Sequence, residues 1–313
     1  LQAMALENQT AVQEFLLVAF QNIDKLKFLL FFSVFTVYLL ALFGNILIII
    51  LVSTDPKLHS PMYFFLCHLS TSEILFITSI VPNMLYVILS KVGTISFGSC
   101  VTQYYLFSST TSVECLLLAV MSYDRYLAIC VPLHYSAIMN KRLCLYLVAL
   151  CWVTGFGLSL IALAFMSHMD FCGSGIIDHF FCDLAPILNL SCSDTSFLEM
   201  EDFVLCFVFL IFPFVIIIVT YIRIILTILR IKSTTGKNKA FSTCSSHLTV
   251  VCTYYGTLIV IYMMPSTEYS SIGNKTSAIL YTVVTPMLNP IIYSLRNNDI
   301  RISLRNISKR LQL

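Results

Sequence analysis

Asp124 and Arg125 stand side by side at the end of a long apolar run that begins near Val101. Such a pair belongs at a membrane–water boundary, where the two charges satisfy each other and can part when another protein docks. A plain helix-stopping anchor has the same composition, so the pair alone does not decide between the two. Glu73 and Glu114 lie deeper in apolar runs, where a carboxylate is too costly to be kept for packing alone. Glu114 precedes Arg125 by about three helical turns. Cys172, Cys182 and Cys192 are spaced ten residues apart, and Cys100 stands at the head of another apolar run. On an oxidising face these four allow three disulfide pairings, and no His sits at ligand spacing to favour zinc instead. No nucleophile–base constellation or metal motif is visible, so an enzyme is not expected.

The elements that hold these residues are membrane spans. Of the chain's 313 residues, 58% are hydrophobic and 11% charged, far fewer charges than a soluble domain of this length carries. Apolar runs near Phe28–Val52, Pro61–Ile88, Val101–Ile129, Leu143–Met166, Phe203–Leu229, Leu248–Met264 and Thr276–Leu295 are long enough to cross a bilayer. They are too long for barrel strands, so they are expected to be helices. Under this seven-span reading Lys57, Lys141, Arg142, Arg230, Lys232, Lys237, Lys239, Arg296, Arg301, Arg305, Lys309 and Arg310 fall on one side. Asp170, Asp178, Asp183, Asp194, Glu199, Glu201 and Asp202 fall on the other. The positive-inside rule then places the N-terminus outside and the C-terminus inside. The same bias explains the net charge of +2 without nucleic acid. The expected organisation is an outer tail over residues 1–25, a seven-helix bundle over 26–295 and an inner segment over 296–313. In that segment Ile300, Leu304, Ile307 and Leu311 share one face and Arg301, Arg305 and Lys309 another, the pattern of a short amphipathic helix on the inner leaflet. It contains no Cys for a lipid anchor. The first apolar run starts too late and is too long for a cleavable signal peptide, so the first span is expected to direct insertion. Residues 1–5, which lack an initiating Met, are set aside. Asn8-Gln9-Thr10 is a glycosylation sequon on the outer tail; those at Asn189 and Asn274 are weaker, and that at Asn306 lies inside.

Several motifs follow in order along the chain. They are Gly44-Asn45; Leu58-His59-Ser60-Pro61-Met62-Tyr63; Met121-Ser122-Tyr123-Asp124-Arg125-Tyr126 with Pro132-Leu133-His134-Tyr135; Lys239-Ala240-Phe241-Ser242-Thr243-Cys244-Ser245-Ser246-His247; and Asn289-Pro290-Ile291-Ile292-Tyr293. Together they resemble the odorant receptors of the rhodopsin-like G-protein-coupled receptors, and the Ser-Thr-Cys version of the fourth motif points to the tetrapod-type (class II) branch. Ser60 stands where that family usually has Thr, and Tyr255-Gly256 where most of the wider superfamily has a switching Trp.

The resemblance implies further expectations. Cys100 pairs with Cys182, and Cys172 with Cys192. Glu73, Glu114 and Asn289 converge in mid-bundle where relatives hold a sodium ion; a cation or a shared proton is needed there, since two facing carboxylates cannot both be ionised cheaply. A small, mostly apolar volatile ligand binds among Tyr104, Phe107, Ser108, Thr111 and Ser112, then Asp202, Leu205, Cys206 and Phe209. The sixth and seventh spans add Tyr255, Leu258, Ile259 and Tyr262, then Ile279 and Thr282. An aminergic pocket is disfavoured because Phe107 occupies the place of its Asp, and retinal because Lys275, at the outer end, is the only Lys near the seventh span. Asp124, Arg125, Tyr126, Tyr221, Lys239, His247 and Tyr293 serve coupling to a stimulatory G protein that raises cyclic AMP. His247 is read as a hydrogen-bonded residue at the membrane interface. The expected location is the plasma membrane of olfactory cilia. The rival readings are a receptor for an endogenous metabolite on the same fold and an ion transporter using Glu73 and Glu114; the transporter lacks repeated halves.

Overall fold

The computed structural model describes residues 14–18, 25–172, 175–263, 275 and 278–311. Long helices dominate it: α1 Lys27–Thr54, α2 Pro61–Ser90, α3 Phe97–Cys130, α4 Lys141–Met166, α5 Ser196–Arg230, α6 Thr234–Met263, α7 Thr285–Arg296 and α8 Asn298–Leu311. By length and composition α1, α2, α4 and α5 are each able to cross a membrane. A fifth is added by α3 when it is taken with the segment Pro132–Ile138, bent 110° from it.

Residues are distributed as a lipid environment demands. Phe28, Phe32, Phe43, Val153 and Phe203 point outward and are more than half exposed, whereas Asn45, Glu73, Glu114, Asp124, His247 and Asn289 are buried. In lipid the outer face gains nothing from polarity, so polar side chains turn inward and find partners on neighbouring helices. Gly44 lets α1 meet α7: a Cβ there would lie 2.8 Å from the Pro290 ring. Gly155 does the same for α4 against Val113 of α3, also at 2.8 Å.

Two helices carry a π turn, and each turn stands just before a proline. In α5 it spans Phe207–Ile211, ahead of Pro213; ahead of α7 it spans Leu280–Val284, before Pro286. Proline has no N–H and its ring crowds the carbonyl four residues back, and widening the preceding turn relieves both problems. The Phe212 N–H accordingly reaches Phe207 O, and the Thr285 N–H reaches Leu280 O.

One end of the bundle is capped by a small sheet that hydropathy does not reveal. Strand β1 (Glu14–Val18) runs antiparallel to β2 (Val92–Ser96) and parallel to β3 (Ile176–Ile177), in the order β2-β1-β3. Part of the segment read as a plain tail is therefore its central strand. Phe15 and Leu17 are fully buried beneath it. Cys100–Cys182 pins the same loop to α3, and Cys172–Cys192 closes it on itself, with Cα separations of 5.4 and 5.7 Å. Lys275 is buried: its Nζ lies 2.5 Å from Asp178 and 3.4 Å from the Val18 carbonyl oxygen, tying strand and loop together. At the inner end Asn297 Oδ1 accepts from the N–H groups of Asp299 and Ile300 and so starts α8, and the Tyr63 hydroxyl lies 2.9 Å from both Asn297 and Asp299.

Candidate functional site

Near the C-terminal end of α3, Asp124 is fully buried. Arg125 Nε donates to its Oδ2 at 3.0 Å, Nη2 donates to the same oxygen, and the Tyr135 hydroxyl donates to Oδ1 at 2.8 Å. Both carboxylate oxygens thus hold charged or phenolic donors. Tyr135, which no role was assigned from sequence, completes the lock from the inner loop; its place in the Pro132–Tyr135 motif was the available signal. Around it Ser122 bonds Thr220, and the Tyr221 hydroxyl lies 2.7 Å from His247 Nδ1. His247 is fully buried and, as expected, hydrogen-bonded, here to Tyr221 of α5. Tyr126 is half-buried, with its ring stacked on Tyr123, and Tyr293 is buried with its hydroxyl unpartnered among the described residues. The Lys239 side chain lies outside the described residues.

In mid-bundle Asn289 Nδ2 donates to Glu73 Oε1, and Asn45 Nδ2 donates to the carbonyls of Ala41 and Pro286 at 3.1 and 3.3 Å. Glu114 lies within electrostatic reach of Glu73. Glu73 Oε2, Glu114 Oε1, Asn289 Oδ1 and Asn45 Oδ1 are all buried and unpartnered among the described residues. Four orphaned oxygens and no cationic side chain fit a small hard cation, which takes oxygen ligands, or a proton.

Beside the loop that carries Cys182 a cavity of about 440 Å³ opens between α3 and α5. Of the residues read from sequence, Phe107, Ser108, Thr111, Ser112, Asp202, Leu205, Cys206, Phe209 and Leu258 line it. Tyr104 is buried behind the wall, and Thr282 turns its hydroxyl to the Ala278 carbonyl at 2.7 Å. Ile279 is half-buried and is not among the lining residues. Tyr255 sits instead on the α5–α6 seam, its ring 4.7 Å from that of Phe214. The side chains of Ile259 and Tyr262, and all of Asn8 and Asn274, lie outside the described residues. The wall also contains residues that counting helical turns missed: Cys115, Leu210 and Glu199, and Asp183, Leu184 and Ala185 from the loop. The Cys100–Cys182 bond brings those loop residues over α3, so their adjacency to Cys182 was the usable signal. Burial pushes the Asp183 carboxyl up to about 6, against the Leu184 N–H it accepts at 2.8 Å. Tyr281, also missed, lies 3.0 Å from Thr111 through its hydroxyl and packs against Phe76 and Phe107.

The comparisons with known proteins agree with this arrangement. A family model described as olfactory receptor matches residues 34–310. Olfactory receptor 2G3 of Homo sapiens is 45% identical over 304 residues, covering 97% of this chain and 98% of its own. Olfactory receptor 10A7 of Homo sapiens is 47% identical over 298 residues, covering 95% and 94%. Olfactory receptor 226 of Rattus norvegicus is 45% identical over 298 residues, covering 94% and 91%. The two disulfides and the apolar helices fit a multi-pass membrane receptor with no enzymatic role. The chain belongs to the olfactory receptor family, whose members are odorant-sensing G-protein-coupled receptors.

Proposed function

We propose that this receptor binds a small, mostly apolar odorant in the α3–α5 cavity and activates a stimulatory G protein that raises cyclic AMP. Seven crossings are proposed, through α1 to α6 and the segment ending in α7, with the N-terminus and a glycan on Asn8 outside and α8 on the inner leaflet. The observation that carries the reading is α3 itself. One continuous helix presents Phe107, Ser108, Thr111 and Ser112 to the cavity and ends in the Asp124–Arg125–Tyr135 lock. A ligand that binds better when α6 has swung outward shifts the population to that state. There Arg125 leaves Asp124 and, with Tyr126, Tyr221, His247, Tyr293 and the Lys239 segment, forms the cleft for the G protein. Glu73, Glu114, Asn289 and Asn45 would hold a sodium ion in the resting state. If bound, the ion would neutralise the two carboxylates; the protein's part would be to offer these buried, unpartnered oxygens as ligands. The proposed location is the plasma membrane of olfactory cilia.

Cyclic AMP measured against a diverse odorant panel, in cells matched for surface receptor, tests this. One chemical class should raise it, and Arg125→Ala should abolish the rise. Signalling that survives Arg125→Ala would refute the proposed coupling.

A further inference from the structure

Reading the outer cavity as the ligand site, as above, leaves open which head group it accepts, and the protons already committed in its wall decide that. Thr111 Oγ1 donates to the Phe107 carbonyl at 2.8 Å, and Ser112 Oγ donates to the Ser108 carbonyl at 2.9 Å. Ser159 Oγ donates to Gly155 O at 2.9 Å, so in its 3.4 Å contact with Ser108 the Ser108 hydroxyl is the donor. The Tyr254 hydroxyl donates to Thr111 O at 3.3 Å, which leaves the Cys115 thiol to donate to Tyr254. A hydroxyl carries one proton and two lone pairs, so each of these groups has only acceptor capacity left for the cavity. The same wall contains Asp183, Glu199 and Asp202 and, among the described residues, no Lys, Arg or His.

We propose that this cavity selects its ligand by a hydrogen-bond-donating head, and that small aliphatic amines, carried as ammonium, are its preferred class. The ammonium sits between the acids of the loop and α5 and the hydroxyl row of α3, with its alkyl body against Phe107, Phe209 and Leu258. The missing acid at Phe107, which disfavoured an amine on sequence grounds, is supplied from Asp183 and Asp202 instead. Among the described lining groups a carboxylate meets acceptors and like charge, with only the weak Cys206 thiol to donate to it, and an aldehyde has no proton to give; both leave polar groups unpaired. With its carboxyl near 6, Asp183 is ionised at neutral pH and ready to pair.

The test uses the full-length receptor in nanodiscs and in cells, with hexylamine, hexanol, hexanal and hexanoate as probes. Binding is read as a thermal shift and signalling as cyclic AMP. The expected order is amine, then alcohol, then aldehyde, with hexanoate inert and about ten-fold or more between amine and aldehyde. Asp202→Asn and Asp183→Asn should collapse the ratio of amine to alcohol affinity; Asn at 183 keeps the helix cap, so the loop still folds. The inference is overturned if hexanal or hexanoate matches the amine, if the preference survives both substitutions, or if no probe binds. In each case a cyclic AMP response to the wider odorant panel keeps the receptor reading, whereas silence to that panel as well removes it.

Discussion

Helix α3 buries two carboxylates, Glu114 and Asp124, and treats them in opposite ways. Both are almost wholly out of solvent, at 3% and 0% exposure. Asp124 has Arg125 and Tyr135 on its two oxygens, so its charge is answered within the protein. Glu114 has an oxygen with no described partner and a second carboxyl, Glu73, nearby. Burial alone therefore does not identify a functional acid. Asp124 is a closed contact, which the proposed activation would have to break. Glu114 is an open demand among the described residues, which the proposed cation or a proton would meet.

The largest effect should come from breaking the closed contact. Asp124→Ala leaves Arg125 buried without its counter-ion, a loss of about 3–5 kcal/mol read as a lower unfolding midpoint, with raised basal cyclic AMP in the receptor that still folds. The loop between α4 and α5 offers a group that, like Glu114, is buried and lacks a described partner, but that no long apolar helix carries. His179 Nδ1 has no partner among the described residues, and burial, helped by nearby Lys275, pushes its imidazole down to about 4. Its unfolded value is near 6.5, so the unfolded chain takes up the proton first. The His179 contribution to stability should therefore fall as pH drops from about 6.5 towards 4, by at most about 3 kcal/mol, against an opposite contribution from the raised Asp183 carboxyl. His179→Phe should flatten that slope in unfolding curves recorded across the range. Tyr221→Phe converts an answered group into an unanswered one by stripping His247 of its partner, and should cost about 1–3 kcal/mol in the same assay. The smallest change should be a gain. Glu114→Gln removes one of two like charges and should raise the midpoint by a few degrees, about 1 kcal/mol, while abolishing any sodium dependence of agonist potency.

The features legible in the sequence were those with local signatures. Asp124-Arg125 ends an apolar run, the cysteine pairing followed from family resemblance, and Gly44 announced a close helix approach that Pro290 fills. Strand β1 was hidden because its partners, β2 and β3, lie far along the chain and no short turn joins them. The first turns of α5, from Ser196, were missed because Glu199, Glu201 and Asp202 interrupt the hydropathy that marks a span. Those same acids now face or flank the cavity. Lys275 was placed from sequence only at the end of a span; the fold alone brings Asp178 and Val18 to it. Nor does sequence say where a hydroxyl sends its proton, which depends on the carbonyl beneath it and decides what the cavity can accept.

The two π turns have a geometric consequence. Each stores one residue beyond the α-helical count, at Phe207–Ile211 and at Leu280–Val284. Releasing that residue would turn everything on one side of it by about 100° and advance it by about 1.5 Å, without breaking the helix. Both helices thus carry a ratchet tooth next to their prolines, and a side chain above the tooth can be re-aimed relative to one below it while the rest of the bundle stays in place.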